Sequence, residues 1–483
     1  MEKIRNFFFE NSNTRQTIIK NTFWLFLGEA SGRLLKMLLI VYAARKLGAA
    51  GWGVFSYAIS IASLLMIFAD IGIDNLIIRE ISQNKENHKI LISAAFFIKI
   101  VILLSSILLV IFVSPYISSI PEAAGLFSAV AVILFFDVIR NSGFAINRVL
   151  EKMEKETIIK VIMNSVILVL GIALINADPS PISLAVSYAV GSIIGALLIA
   201  SVVRKTVVQF VAKVNKETLK MVLGATLPFA VMALVGSIMA DTDIFMLGIW
   251  RTPEDIGVYA AAQRFYQFII MLPSMIATAM FPLMSRLAHK ENEKFKIVLE
   301  KALFVLAVIG MPIALGGIVL TNQIVLLVFG QSYIDAIPVL YIFMIMLLIT
   351  LPMTLLINSI FAYDKQRKMV RANIFGMLAN VLLNFLLIPK FGATGAAFAT
   401  LISTSMVIYV LYKEMKKVNN FEIWSSIKDV LLPTALMLVI TLTLKYFGIK
   451  VALNIIISAV AYFFFFLLLR RKTLTEFKEI VGL

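Results

Sequence analysis

Five basic side chains sit inside stretches too apolar to carry them without a reason: Arg33, Lys36, Lys99, Arg140 and Arg264. A charge at mid-bilayer costs about 2.5–3.5 kcal/mol on insertion scales, and it survives where it faces water or a partner. Glu29, Arg33 and Lys36 follow one another at i, i+4 and i+7, which sets all three on one helical face. Glu29 and Arg33 can pair locally, which leaves Lys36 uncompensated within its own segment. Two readings of this face stand, the wall of a wet cavity or an interhelical salt bridge. Arg264 has Gln263 and Gln267 beside it, again a polar face. Arg140 follows Asp137 by three residues, so an internal ion pair competes with a cavity role, and Lys99 lies within snorkelling reach of the end of its segment. Asn373, Asn380 and Asn384 share one face, as amides that bond between helices do, and Asn380 is also a candidate substrate contact.

The acids set against these bases are Glu29, Asp70 and Asp137, with Asp241 and Asp243 further on. The surplus is basic, and a basic cavity selects an anion. A phosphate is such a group, since guanidinium binds it bidentately and stays charged at any working pH. Arg33, Lys36, Arg264, Arg140, Lys99, Gln267 and Asn380 are therefore the candidate substrate contacts. Glu29, Asp70 and Asp241 are candidates for proton or sodium coupling, a role that competes with structural pairing to a nearby base.

The elements that position these residues are membrane helices. The chain has 483 residues, 60% hydrophobic and 15% charged, with no cysteine and two histidines. A soluble chain is roughly half apolar and about a quarter charged, so lipid is the expected solvent. Disulfides, thiolate nucleophiles and cysteine-ligated metals are excluded, and His88 and His289, both in polar loops, form no metal cluster. A net charge of +16 is read as basic cytoplasmic loops rather than nucleic-acid binding. Windows long enough to cross a bilayer recur fourteen times, near 20–44, 52–74, 90–113, 123–147, 158–177, 182–203, 220–247, 256–284, 299–320, 337–361, 370–388, 393–412, 428–446 and 451–470.

Charge orients them. With the amino terminus inside, and with bases at the very edge of a span counted with the adjoining loop, the tails and even-numbered loops hold 33 of the 44 Lys and Arg, the odd-numbered loops six, and the spans five. Cytoplasmic loops carry the excess, so both termini are expected in the cytoplasm. Segment 1–20 lacks a cleavage pattern and is expected to be retained. No loop exceeds about 20 residues, too short for a catalytic domain, and there is no Walker sequence. No enzymatic activity and no cofactor are expected, and energy would come from an ion gradient, the membrane potential or consumption of the product outside. Prolines interrupt later spans at Pro228, Pro273, Pro312 and Pro352; Pro228 and Pro273 are the hinge candidates.

The chain repeats itself. Gly51-Trp52-Gly53-Val54-Phe55-Ser56-Tyr57-Ala58 is echoed by Asp255-Ile256-Gly257-Val258-Tyr259-Ala260-Ala261-Ala262, an offset of 204. Lys-Glu-Asn recurs at 85–87 and 290–292, and Asn164 matches Asn380. Six spans per repeat is an even number, so both repeats enter from the same side, as in transporters built from parallel halves. The expected organisation is an N-lobe at 1–203, a cytoplasmic linker at 204–219, a C-lobe at 220–412, and two extra helices with the carboxyl tail at 413–483.

Ala44-Arg45-x-Leu47-Gly48-x-x-Gly51-x-Gly53 with Tyr57, then Asp70-x-Gly72 and Arg79, resembles the opening of polysaccharide-biosynthesis membrane proteins. Asn380-x-x-x-Asn384-x-x-x-Ile388-Pro389-x-x-Gly392-x-x-Gly395-Ala396-Ala397-x-Ala399-Thr400-x-x-Ser403 resembles their later half. These proteins belong to the multidrug/oligosaccharidyl-lipid/polysaccharide exporter superfamily. The resemblance implies an all-α integral membrane protein of about fourteen helices, with two six-helix lobes around a V-shaped central cavity. It implies alternating access, and movement of lipid-linked sugars from the cytoplasmic to the outer leaflet of the cell membrane. The implied partners are a lipid-linked glycan, membrane lipid and the glycosyltransferases or polymerase of the same pathway. An ion-coupled exporter of small drugs shares the architecture, but for cationic drugs it would need unpaired carboxylates where this chain has a basic surplus.

Overall fold

The computed structural model of the protein describes residues 14–66, 69, 72–74, 76–78, 88–208 and 214–469. Asp70 and Arg79 lie outside them. Among the described residues there is no strand, and the helices are α1 (Thr14–Leu65), α2 (His88–Phe112), α3 (Phe127–Val149), α4 (Met153–Ala177), α5 (Pro181–Val208), α6 (Lys216–Trp250), α7 (Pro253–Ile269), α8 (Met271–Leu287), α9 (Asn292–Val328), α10 (Ala336–Ala362), α11 (Gln366–Lys416), α12 (Ile423–Tyr446) and α13 (Val451–Leu469), apart from a few single turns. Eleven of the described helices are long and apolar enough to cross a membrane.

Two of the longest are doubled. The backbone of α1 leaves helical geometry at Gly48 (φ 70°, ψ 178°) and that of α11 at Gly392 (φ 54°, ψ −135°). Both glycines open the text Gly-Ala-x-Gly, and a positive φ is a conformation that glycine adopts without steric cost. The boundaries expected between spans 1 and 2 and between spans 11 and 12 are these two kinks.

The expected eighth span, 256–284, is not continuous. It breaks at Ile270 (φ −69°, ψ −9°) into α7 and α8, each 17 residues long. Pro273 stands in the first turn of α8, where its missing N–H leaves no helical bond unmade. Pro228 lies within α6, which runs on through it.

Local chemistry sets several of the ends. Asn215 caps α6, its side-chain oxygen accepting the Thr218 N–H at 2.8 Å. Pro253 opens α7 with Glu254 and Asp255 in the first turn, matching the positive end of the helix dipole.

The helices gather into two compact units, Met1–Ala260 and Ala261–Leu483. In the first, α1 packs along α4, and α3 along α5. The α1–α4 seam carries polar ties: Lys20 to Glu154 at 3.3 Å, the Thr157 hydroxyl to the Trp24 carbonyl at 2.5 Å, and the Tyr42 hydroxyl to the Asn176 side chain. In the second unit α9 carries α10 on one side and α12 with α13 on another. Its apolar core includes Phe295, Leu299, Leu303, Leu355, Leu411 and Phe421. The Tyr462 hydroxyl fixes α13 to α9 by donating to the Val308 carbonyl at 2.8 Å.

Large apolar side chains point outward in rows. Phe97, Ile100, Leu104 and Leu108 of α2 are each at least half exposed. Rows of this size would drive association in water and are what a helix presents to lipid, where every backbone polar group is satisfied internally. The chain is an all-α, multi-pass membrane protein.

Candidate functional site

Within the first unit a polar cavity of about 500 Å³ opens between α1, α3 and α4. From α1 come Glu29, Arg33 and Lys36, from α3 Arg140, Asn141, Phe144 and Arg148, and from α4 Lys160 and Asn164; Asp74 completes the charged lining. Five bases therefore face two acids.

Four of the five bases, Arg33, Arg140, Arg148 and Lys160, are held by carboxylates. Glu29 lies between two cations, with Lys160 Nζ at 2.5 Å and Arg33 Nε at 3.5 Å. The Arg33 side chain, part of the cavity lining, is 49% exposed. Lys160 also reaches Glu156 at 2.9 Å, and the Arg148 guanidinium forks onto the same carboxylate at 2.9 and 2.7 Å. Glu156 is fully buried, so two cations compensate one carboxylate that has no access to water. Arg140 donates to Asp137 at 2.5 Å, and Ser192 of α5 donates to the same oxygen at 2.7 Å. The Phe144 ring lies 5.5 Å from the Lys160 ammonium and 5.9 Å from the Arg140 guanidinium, within cation–π range.

The expected face Glu29, Arg33, Lys36 is thus gathered on one cavity together with Arg140. Lys99 is placed elsewhere: it lines an apolar cleft on the other face of α3 and binds Asp74 at 2.6 Å. Arg264 and Gln267 belong to the second unit, where the guanidinium donates to the amide oxygen at 3.0 Å. Asn380 is buried inside α11, accepting from Asn384 at 3.1 Å and donating to Ser403 at 3.5 Å across the Gly392 kink. Asp241 of α6 accepts from the Ser60 hydroxyl at 3.1 Å.

Sequence reasoning missed Lys160, Arg148, Glu156 and Asp74. Arg148 and Lys160 stand where an apolar segment meets a base-rich loop, with Glu156 between them, so the charge pattern assigns all three to the loop. The signal was present, because Glu156, Lys160 and Asn164 recur at i, i+4, i+8 and mark a polar face at the start of α4. Asp74 stands four residues after Asp70, a spacing that the apolar windows do not weigh.

The arrangement has the chemistry to hold an anion. Its guanidiniums can meet a phosphate with two parallel hydrogen bonds, and a low-dielectric surround strengthens each of them. Asn141, Asn164 and the Phe144 face add the amide and aromatic surfaces that a sugar uses.

The chain resembles known proteins over most of its length. A lipid II flippase MurJ family model matches residues 158–470. A putative O-antigen transporter of Shigella flexneri is 24% identical over 420 residues, covering 83% of this chain and 98% of the relative. The probable flippase AglR of Haloferax volcanii is 30% identical over 168 residues, 34% of this chain and 35% of that protein. Among solved structures, the inward closed conformation of lipid II flippase MurJ superposes with a TM-score of 0.77 at 18% identity, covering 93% of this chain and 100% of that one. The polysaccharide biosynthesis protein family model matches residues 18–288, more than half of the chain, and the chain belongs to that family.

Proposed function

We propose that this protein is a flippase for lipid-linked oligosaccharides, carrying the sugar head across the membrane while the lipid tail stays in the bilayer. The observation that carries the reading is the cavity between α1, α3 and α4, where five bases face two acids. The phosphate or pyrophosphate that joins sugar to lipid is the anion this cavity fits. Arg33 is the side chain best placed to receive it, since its contact to Glu29 is long and half the side chain is open. Glu29 stays behind on Lys160 when Arg33 turns to the substrate.

The chain forms and breaks no covalent bond in this reading and is not an enzyme. Transport by alternating access draws on a proton or sodium gradient or on the membrane potential, with Glu29 and Asp241 as candidate coupling carboxylates. The protein lies in the plasma membrane with both termini in the cytoplasm, receiving its substrate from glycosyltransferases and delivering it to a polymerase or transferase outside. Arg264 and Gln267 remain proposed substrate contacts of the second unit.

The test is the accessibility of a lipid-linked oligosaccharide to lectin in sealed vesicles. Arg33→Ala should nearly abolish flipping, and Arg33→Lys should impair it, because lysine keeps the charge and loses the fork. Full transport by Arg33→Ala, with the protein inserted and folded, would overturn the phosphate assignment. Arg264→Ala in the same assay tests the second unit's contribution.

A further inference from the structure

The cleft on the other face of α3 has different chemistry. It encloses about 510 Å³ between α2, α3 and α5, with walls of Phe96, Leu103, Ile139, Ile146, Ile199 and Val203. That volume is in the range of a small-molecule site. The cleft opens outward: Ile100 at its edge is 55% exposed, and Ser201 and Arg204 are exposed as well. Among the described residues that line it, two are charged, Lys99 and Arg204. Lys99 is buried and neutralised by Asp74 at 2.6 Å. Arg204 stands near the end of α5, where the base-rich stretch begins, and makes no hydrogen bond or ion pair to another described residue.

The cleft therefore has an apolar body and one uncompensated cation at its rim. Its walls are no more apolar than the surrounding lipid, so packing of a chain inside it confers no preference among lipids. Selection falls to the net charge of the head: every phosphodiester offers a guanidinium two oxygens, but a choline ammonium beside it offsets the attraction that an anionic head keeps in full. We propose that the α2–α3–α5 cleft binds one acyl chain of an anionic phospholipid, whose phosphate is held by Arg204. The site is separate from the polar cavity, because Val138, Ile139, Ser142, Gly143 and Ile146 face the cleft while Arg140, Asn141, Phe144 and Arg148 face the cavity.

The absence of cysteine makes the test clean. Ile100→Cys carries a fluorophore at the cleft edge, and the protein is reconstituted in phosphatidylcholine vesicles containing rising fractions of brominated phosphatidylglycerol or, in parallel, brominated phosphatidylcholine. Half-quenching should need about fivefold less of the anionic lipid, the preference one basic residue confers near a membrane surface. Arg204→Gln should erase that difference, and Arg204→Lys should keep most of it. A label at Val460, exposed on α13, should show no preference. Identical curves for the two lipids at Ile100→Cys would overturn the proposal. So would a preference that survives Arg204→Gln or that appears equally at Val460.

Discussion

Replacing Gly53 by alanine should be among the most damaging single-methyl changes in this chain. The segment after the Gly48 kink meets the start of α7 backbone to backbone. A Cβ built on Gly53 would lie 1.8 Å from the Pro253 carbonyl oxygen, and one built on Gly257 would lie 1.9 Å from the Ala49 carbonyl oxygen. The contact is reciprocal under the sequence repeat, since 253 and 257 follow 49 and 53 by the same offset of 204. Ordinary contact begins near 3.4 Å, so the two segments must part by roughly 1.5 Å, and the obstructing atom is main chain that cannot swing aside. Overpacking in a well-filled core costs about 1–3 kcal/mol, and this geometry belongs at the upper end. Gly224 of α6 is the control, because a Cβ there meets nothing within 4 Å. Gly224→Ala should be neutral or stabilising by about 0.5–1 kcal/mol through helix propensity alone. Thermal unfolding of the purified variants in one detergent orders them. Because either methyl opens the same contact, Gly53→Ala with Gly257→Ala should cost less than the two single changes together, by about 0.5–3 kcal/mol. Gly53→Ala melting with Gly224→Ala, or strict additivity of the pair, would refute the reasoning.

Glu156→Gln should destabilise by about 1.5–3 kcal/mol, the range for hydrogen bonds to a charged group, because it takes the carboxylate from Arg148, whose side chain is 43% exposed, while Lys160 keeps Glu29. Glu29→Gln, at a carboxylate 44% exposed, should cost less in the same unfolding experiment. Lys99→Ala and Asp74→Ala should each destabilise, and the double variant should lose well under the sum of the two single losses, as expected of a pair at 2.6 Å with both side chains largely buried. Single cysteines near Lys155, Lys213 and Lys368 should label only from the cytoplasm, and those near Asp178 and Gln331 only from outside. Reversed labelling at any of them would break the topology read from the charge split.

Transmembrane character and the helical, apolar make-up of the chain were legible in the sequence for one reason. Solvation by lipid acts on each residue independently of its tertiary neighbours, so twenty apolar residues mean the same thing wherever they fall. The Gly48 and Gly392 kinks were legible as span boundaries, because a positive φ favours glycine locally. The face Glu29, Arg33, Lys36 followed from helical period alone. Pairing did not. Lys160 reaches Glu29 across 131 positions of chain, and Asp74 reaches Lys99 from a neighbouring segment. Whether a buried base faces water, an acid or an apolar wall depends on which helices are neighbours and how each is rotated. Neither is written in a single helix, whose period says which residues share a face but not what that face meets. Tertiary packing therefore decided that Arg33 and Arg140 share one cavity while Lys99 lines a cleft behind it. It also decided the break at Ile270, where an apolar window reads as continuous because hydropathy carries no record of the backbone dihedrals.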